Sequence, residues 1–293
     1  MTIIDHVQIF PNASHLPTFN SRAIESHLHR IPGLSENFLY FNDDWLFIDH
    51  VCPDDYWSSD SGYKVHVDKH STSFLSEWLE SSFSAVFYPR CSNWCKKRGQ
   101  NGVCDEDCNS QTCIFDSNEC VPPTSNRASF YDSVDYVKAL FNDKLGYSYR
   151  WLPEHMPLMI NKRVVLDLQN TFRKELELTS SHRTRQRNDI QFEFAYNSWL
   201  LEAPKSRLHY KIHPSLYRAT LVDSNDFKYF AYGAGSLEAS IKQIRNFLEN
   251  RKGYKYLCVN DLITYAHSHA AEKQEEIKKM YQKLLPQKSK YEL

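Results

Sequence analysis

Two short motifs in this sequence have the residue types that hold a metal-bound phosphate. Asn42-Asp43-Asp44 follows the apolar run Phe38-Leu39-Tyr40-Phe41, and Asn260-Asp261 follows Tyr256-Leu257-Cys258-Val259. Mg²⁺ takes one or two protein carboxylates and fills its remaining positions with phosphate oxygens and water, so carboxylates at a strand end suit a phosphorylated or diphosphate substrate. A single Asn-Asp is usually a solvated turn, whereas a matched pair points to a site. Glu25 and His29 stand four residues apart, a spacing at which a carboxylate can tune an imidazole for proton transfer; spacing alone favours an ordinary surface pair. His155, in Pro153-Glu154-His155-Met156-Pro157, is a candidate acid or base, or a histidine that merely satisfies backbone groups. The basic stretch Ser181-His182-Arg183-Thr184-Arg185-Gln186-Arg187 either clamps phosphate oxygens or is a solvated loop.

The elements that position these residues follow from periodicity. Continuous aromatic and β-branched runs over 38–41 and 256–259 predict strands buried on both faces in a largely parallel sheet, where ligands sit outside the carboxyl ends. Two such ends can face one site. Asn20 and Ser21 predict a helix start, Ile24, Leu28 and Ile31 its buried stripe, and Pro32-Gly33 its end. Tyr63 to Val67 alternates as a half-buried strand. A helix carrying Val134, Val137 and Leu140 ends at Gly146. From Pro157, the series Ile160, Val164, Leu168, Phe172 and Leu176 predicts one long helix. Residues 188–202 favour a buried helix, 211–232 read as irregular surface, and helices follow over 237–247 and 270–285.

The chain of 293 residues can bury a sizeable core. Lys plus Arg (35) nearly cancel Asp plus Glu (36), so charge gives no argument for nucleic acid as a partner. Aromatic residues make up 14%, as fit for a carbohydrate-handling surface as for a thick core, and the core accounts for most of them. No apolar run reaches the roughly 18 residues of a membrane span, and Met1-Thr2-Ile3-Ile4-Asp5-His6 lacks the build of a signal peptide. Six of the eight cysteines, Cys91, Cys95, Cys104, Cys108, Cys113 and Cys120, fall within thirty residues. Their gaps contain no paired Cys-x₂-Cys knuckle and no interposed His, which favours disulfides over zinc and places the chain in an oxidising compartment. So small a module needs staples and often a metal, and the oxygen-rich residues between its cysteines suit Ca²⁺. Val121-Pro122-Pro123-Thr124-Ser125-Asn126 is a linker by composition. The reading is therefore an α/β catalytic domain over 1–90 and 131–293, with an inserted disulfide-rich module over 91–120 and a linker over 121–130.

The module, with its terminal Asp116-Ser117-Asn118-Glu119-Cys120, resembles a Lin-12/Notch repeat. By that resemblance Asn101, Asp105, Asp116 and Glu119 are calcium ligands. The whole chain resembles the Stealth family of sugar-1-phosphate transferases, and within it the animal-type N-acetylglucosamine-1-phosphotransferases. Region two of that family is carried by Leu16-Pro17-Thr18-Phe19-Asn20-Ser21, Ile24 to Ile31, Gly33-Leu34-Ser35, Asn42-Asp43-Asp44 and Pro53-Asp54-Asp55. Region three is carried by His155-Met156-Pro157, Arg185, Asp189 and Gln191-Phe192, and region four by Cys258-Val259-Asn260-Asp261. The resemblance implies a Rossmann-like layered catalytic domain that moves GlcNAc-1-phosphate from UDP-GlcNAc to a mannose 6-hydroxyl on a high-mannose glycoprotein, releasing UMP. It implies catalytic roles for Asp43, Asp44, His155, Arg185 and Asp261, with His29 held by Glu25 as the alternative base. Substrate contacts are expected from Asn20, Ser21, Arg30, Asn42, Asp189, Gln191 and Asn260, and Mg²⁺ or Mn²⁺ at Asp43 and Asp44. An accessory subunit or a second copy, and a Golgi or secretory location with membrane anchors, belong to the same picture. A first region reading approximately Ile-Asp-x-Val-Tyr-Thr-Trp-Val-Asp-Gly does not occur in these 293 residues, so a chain shortened at its N-terminus is expected. The alternatives are a non-catalytic Stealth-like binder of glycoproteins and a glycosyltransferase that releases UDP.

Overall fold

A computed structural model describes residues 2–67, 130–203, 214–223, 227–232, 237–261 and 270–287. The cysteine-rich stretch, with Cys91, Cys95, Cys104, Cys108, Cys113 and Cys120 and the expected calcium ligands Asn101, Asp105, Asp116 and Glu119, lies outside the described residues.

The chain folds as a mixture of helix and sheet. In order the elements are α1 (Ser21–Glu25), β1 (Asn37–Tyr40), β2 (Trp45–Phe47), β3 (Trp57–Ser58), β4 (Gly62–Val67), α2 (Phe130–Leu145), β5 (Leu158–Asn161), α3 (Lys162–Thr171), α4 (Arg173–Ser181), α5 (Phe192–Glu202), β6 (Ala219–Asp223), β7 (Phe227–Tyr232), α6 (Leu237–Asn250), β8 (Tyr256–Asp261) and α7 (Ala270–Leu284). Among the described residues these strands make three small sheets, ordered β1-β5, β2-β8-β7 and β3-β4-β6, rather than one layered sheet. β8 runs parallel to β7 and antiparallel to β2, with Trp45 opposite Cys258. Tyr256, Leu257 and Cys258 are fully buried, as the strand expectation for this run requires.

The matching run at 38–41 behaves differently. Among the described residues β1 pairs antiparallel with β5 alone, and it is only half-buried. An apolar run of four residues records no partners, and Tyr40 carries a hydroxyl that must meet polar groups. The long helix expected from Pro157 is also corrected. Leu158 to Asn161 is extended, the Asn161 side chain caps α3 by accepting the N–H groups of Arg163 (2.9 Å) and Val164 (3.2 Å), and a break at Phe172 separates α3 from α4. The i+4 series nevertheless names core: Ile160, Val164, Leu168, Phe172 and Leu176 are all buried. The helix expected over 20–31 is likewise split. α1 stops at Glu25 and a 3-10 turn spans Leu28–Arg30. β6 and β7 replace the irregular surface expected over 211–232.

The largest core joins β4, β5 and α2 to α5. At its centre Phe141 stacks on Phe172 at 4.7 Å, and Trp199 meets both edge-on, contacts of about 0.5–1.5 kcal/mol each beyond burial. A second cluster holds β8 against α6 and α7, and a small one packs Ile9 and Phe10 on Ala23 of α1. Between the first two, Trp45, Tyr56, Met156, Tyr256 and Cys258 form an apolar floor.

Candidate active site

The floor just described supports a polar rim. The Val259 N–H donates to the Asp44 carbonyl at 2.9 Å, which extends the β2-β8 ladder to the very residue at which the first Asn-Asp-Asp ends. Both motifs therefore occupy one sheet edge. Asp44 Oδ2 accepts the Cys258 thiol proton at 3.3 Å and lies 3.5 Å from His155 Nε2. The His155 ring packs on Trp45 with centroids 5.5 Å apart, so carboxylate and indole together orient a half-exposed imidazole. Burial and then the Asp44 carboxylate push the Cys258 thiol well up, and the thiol stays protonated as a donor. Asp44 Oδ1 is buried with no hydrogen-bond partner. A buried carboxylate oxygen left open in this way fits a hard divalent ion, with exposed Asp43 beside it, and the ligand atoms of Asp44, His155 and Cys258 lie within 4.8 Å of one another, close enough to share an ion.

A second cluster adjoins the first. Asn20 caps α1 by accepting the Arg22 N–H (3.2 Å) and donates through Nδ2 to Asp189 Oδ2 (2.8 Å). Asp189, fully buried, also accepts from the Gln186 N–H at 2.7 Å and pairs with His182 Nδ1 at 2.7 Å. Arg22 reaches Asp189 at 3.7 Å and donates to Gln191 Oε1 at 2.9 Å. This buried knot clamps the loop after α4 onto α1 and presents Arg185 at the surface, where it donates to Ser21 Oγ at 2.9 Å. Asn20, Asp189 and Gln191 are thus engaged with protein partners, and Ser21 and Arg185 meet at the exposed edge.

Tyr40 connects the two clusters. Its hydroxyl lies against Asn42 Oδ1 and 3.3 Å from Glu25 Oε1. One phenolic proton serves two acceptors there, and a Glu25 that keeps its own proton supplies the second. Burial raises the Glu25 pKa to about 7, against the lowering effects of Tyr40, Arg185 and Arg22. Burial followed by the charges of Glu25 and Glu154 raises Glu193 well above the carboxylate range. Tyr40 is raised by burial and by Glu25, Glu193 and Asp44, which puts all these groups within electrostatic reach of one phenol.

His29 is not part of this arrangement. The helix stops at Glu25, and the His29 ring is buried on the following 3-10 turn, where burial and Arg30 lower its pKa to about 3. Arg30 is exposed and lines a different cavity. The backbones of Asn260 and Asp261 sit at the end of β8, in register with Ala231 and Tyr232. Tyr40, His182 and Cys258 lie inside motifs quoted from the sequence, and Arg22 and Glu193 beside such motifs, yet residue type and spacing do not single out any of the five as site residues.

Three stretches match known protein families. Residues 1–65 match Stealth protein CR2, conserved region 2, and residues 154–202 match Stealth protein CR3, conserved region 3. Residues 88–121 match the LNR domain. Asp43 and Asp44 lie in the first match and His155, Arg185, Asp189 and Gln191 in the second. Over 121 residues the chain is 41% identical to N-acetylglucosamine-1-phosphotransferase subunits alpha/beta of Mus musculus, a match covering 41% of this chain and 8% of that protein. It is 25% identical over its whole length to capsular polysaccharide phosphotransferase WcwK of Streptococcus pneumoniae, covering 75% of it. Exopolysaccharide phosphotransferase cps2G of Lactiplantibacillus plantarum is 27% identical, again over the whole of this chain and 74% of its own. The chain thus spans less than a tenth of the mouse relative.

Proposed function

We propose, taking as premise a Stealth chain that carries conserved regions two and three around an LNR domain, that it transfers a sugar-1-phosphate from a nucleotide diphosphate sugar to a glycan hydroxyl. In its sharpest form the donor is UDP-GlcNAc, the acceptor a mannose 6-hydroxyl of a glycoprotein, and the other product UMP. The observation that carries this reading is the 3.5 Å approach of His155 to Asp44 at the edge where both Asn-Asp motifs end. Phosphoryl transfer asks the protein for in-line positioning and charge neutralisation. The acceptor oxygen attacks the phosphorus that bears the sugar, the bond from that phosphorus to the UMP oxygen breaks, and His155 Nε2 takes the hydroxyl proton. Asp44 then stabilises the imidazolium. Arg185, fixed by Ser21, neutralises a phosphate oxygen. Asp43 and Asp44 would hold Mg²⁺ or Mn²⁺, with Asn260 and Asp261 at the same edge; when bound, the ion offsets the diphosphate charge. The LNR segment would carry Ca²⁺ and meet the glycoprotein, in a secretory compartment.

The test follows UMP release from UDP-GlcNAc with an α-mannoside acceptor. Loss of a general base typically costs 10²–10⁴-fold, so His155→Ala should reduce turnover by that factor with donor binding retained. Unchanged turnover removes His155 from the reaction. UDP in place of UMP makes the protein a glycosyltransferase, and donor binding without either product makes it a binding protein.

A further inference from the structure

Asp44, His155 and Cys258 bring a carboxylate oxygen, an imidazole nitrogen and a sulfur within 4.8 Å of one another, and among the described residues no other three histidine, cysteine, aspartate or glutamate side chains do so. Asp44 Oδ2 lies 3.3 Å from Cys258 Sγ and 3.5 Å from His155 Nε2. Zn²⁺ bonds of about 2.0–2.3 Å to oxygen, nitrogen and sulfur place neighbouring corners of a tetrahedron roughly 3.3–3.6 Å apart. Both separations match such edges to within a few tenths of an ångström before any side chain moves. The third edge, from Nε2 to Sγ, falls under the same 4.8 Å limit and closes by rotation of the half-exposed imidazole.

The donor set selects an ion of a particular kind. Mg²⁺ takes oxygen ligands, whereas thiolate and imidazole together suit Zn²⁺ and its softer neighbours. Access comes from the side of the imidazole: the His155 and Asp44 side chains are 41% and 23% exposed, and Cys258 is fully buried beneath them. An ion thus passes His155 and meets the sulfur last, at the floor. Asp44 Oδ1, buried and without a hydrogen-bond partner, leaves that carboxylate under-satisfied, and a cation bound at Oδ2 offsets its charge.

We propose that Asp44, His155 and Cys258 form an inhibitory site for a thiophilic divalent ion of the zinc class, different in its ligands from the Mg²⁺ or Mn²⁺ assigned to Asp43 and Asp44. The inhibition rests on the reaction proposed above, in which His155 Nε2 takes the acceptor proton; the binding does not. On binding, the Cys258 thiol releases its proton to solvent and its sulfur bonds the ion. The Nε2 lone pair bonds the same ion and no longer takes a proton. Three protein ligands leave a fourth position to water or a phosphate oxygen.

Co²⁺ stands in for Zn²⁺ in the test, because its thiolate bond gives a near-ultraviolet charge-transfer band and its four-coordinate sites absorb strongly in the visible. Titrated into the full chain, Co²⁺ should produce both features. Cys258→Ser should abolish the charge-transfer band, and Cys52→Ser should leave it. Loss of an outer-shell partner alone costs about 10–100-fold in metal affinity, so His155→Ala, a change at a half-exposed side chain, should raise the Co²⁺ Kd at least about tenfold; it keeps the test open if Cys258→Ser does not fold. Zn²⁺ added to the UMP-release assay at constant Mg²⁺ should inhibit, and Cys258→Ser should raise the half-inhibiting concentration at least about tenfold, each protein scaled to its own rate without Zn²⁺. Co²⁺ binding with no charge-transfer band, or a band that persists in Cys258→Ser, overturns the site. A band without Zn²⁺ inhibition, in a protein that does release UMP, overturns the inhibition. A protein that releases no UMP overturns the reaction proposed above, and the cobalt band still decides the site.

Discussion

At the scale of single residues, the carboxyl of Glu25 controls how the site responds to pH. Its proton is held more tightly in the folded state (about 7) than in the unfolded chain (4.5). The contribution is fully present below the unfolded value and is lost as pH rises through the folded one. Folding stability should therefore fall between pH 4.5 and 7 by up to roughly 3 kcal/mol from this group. Urea midpoints across that range should slope downward for the wild type and flatten in Glu25→Gln; parallel slopes would remove Glu25 as the cause. Cys258 gives a second test. Its raised thiol is buried whereas Cys52 is exposed, so iodoacetamide at pH 8 should modify the Cys52 peptide and spare the Cys258 peptide until the protein is unfolded. Asp43, Asp44 and His155 could be named as candidates from sequence, because carboxylates and an imidazole carry their chemistry wherever they stand, but it is the paired Asn-Asp motif and the family resemblance that raise them above a turn and a lone histidine. The pairing of Glu25 with Tyr40 was not legible: the spacing of Glu25 to His29 presumes a continuous helix, and the chain leaves the helix at Glu25.

At the scale of elements, two local devices align neighbouring strands. Gly62 opens β4 with φ +73, and a Cβ there would sit 2.0 Å from the Arg218 carbonyl oxygen, the atom that accepts the Tyr63 N–H at 2.7 Å. Gly62→Ala should therefore separate β4 from β6 and cost at least about 2 kcal/mol, read as a lower thermal midpoint; an unshifted midpoint would show that the β4-β6 entry yields freely. Asn161 caps α3 and also donates to Asn37 Oδ1 at 2.8 Å, tying β5 to β1. Asn161→Ala should cost about 1–2 kcal/mol by the same measurement. Helices with strong stripes, such as α2, α6 and α7, were readable in the sequence because their periodicity is local. β6 and β7 were not. β6 finds its parallel partner β4 in a distant part of the chain, and β7 finds β8 only across the intervening helix α6, and nothing within 211–232 announces either partner.

At the scale of the whole molecule, the pairings β1-β5, β2-β8 and β4-β6 all join strands on opposite sides of the cysteine-rich stretch. The two flanks share one core, in which Tyr63, Val65 and Val67 meet α2 to α5. A protease site introduced in the linker at 121–126 should thus yield two fragments that co-elute on gel filtration under native conditions and separate only in denaturant; separation without denaturant would mean that the flanks are independent units. The cysteines and the apolar segments on either side of them suggest an insertion, while the division of the strands into three sheets was not legible. The β2-β8 ladder also sets an order in time. Asp44 leaves the ribosome long before its partner strand, and at about 5–20 residues per second the wait is on the order of ten to forty seconds. Throughout that interval the edge of β2, with Trp45 and Phe47, has no neighbour, and the residues that would meet a phosphate are not yet assembled. Translation thus holds back the candidate site until β8 emerges, and the growing chain carries the Asp44 edge without the strand that completes it.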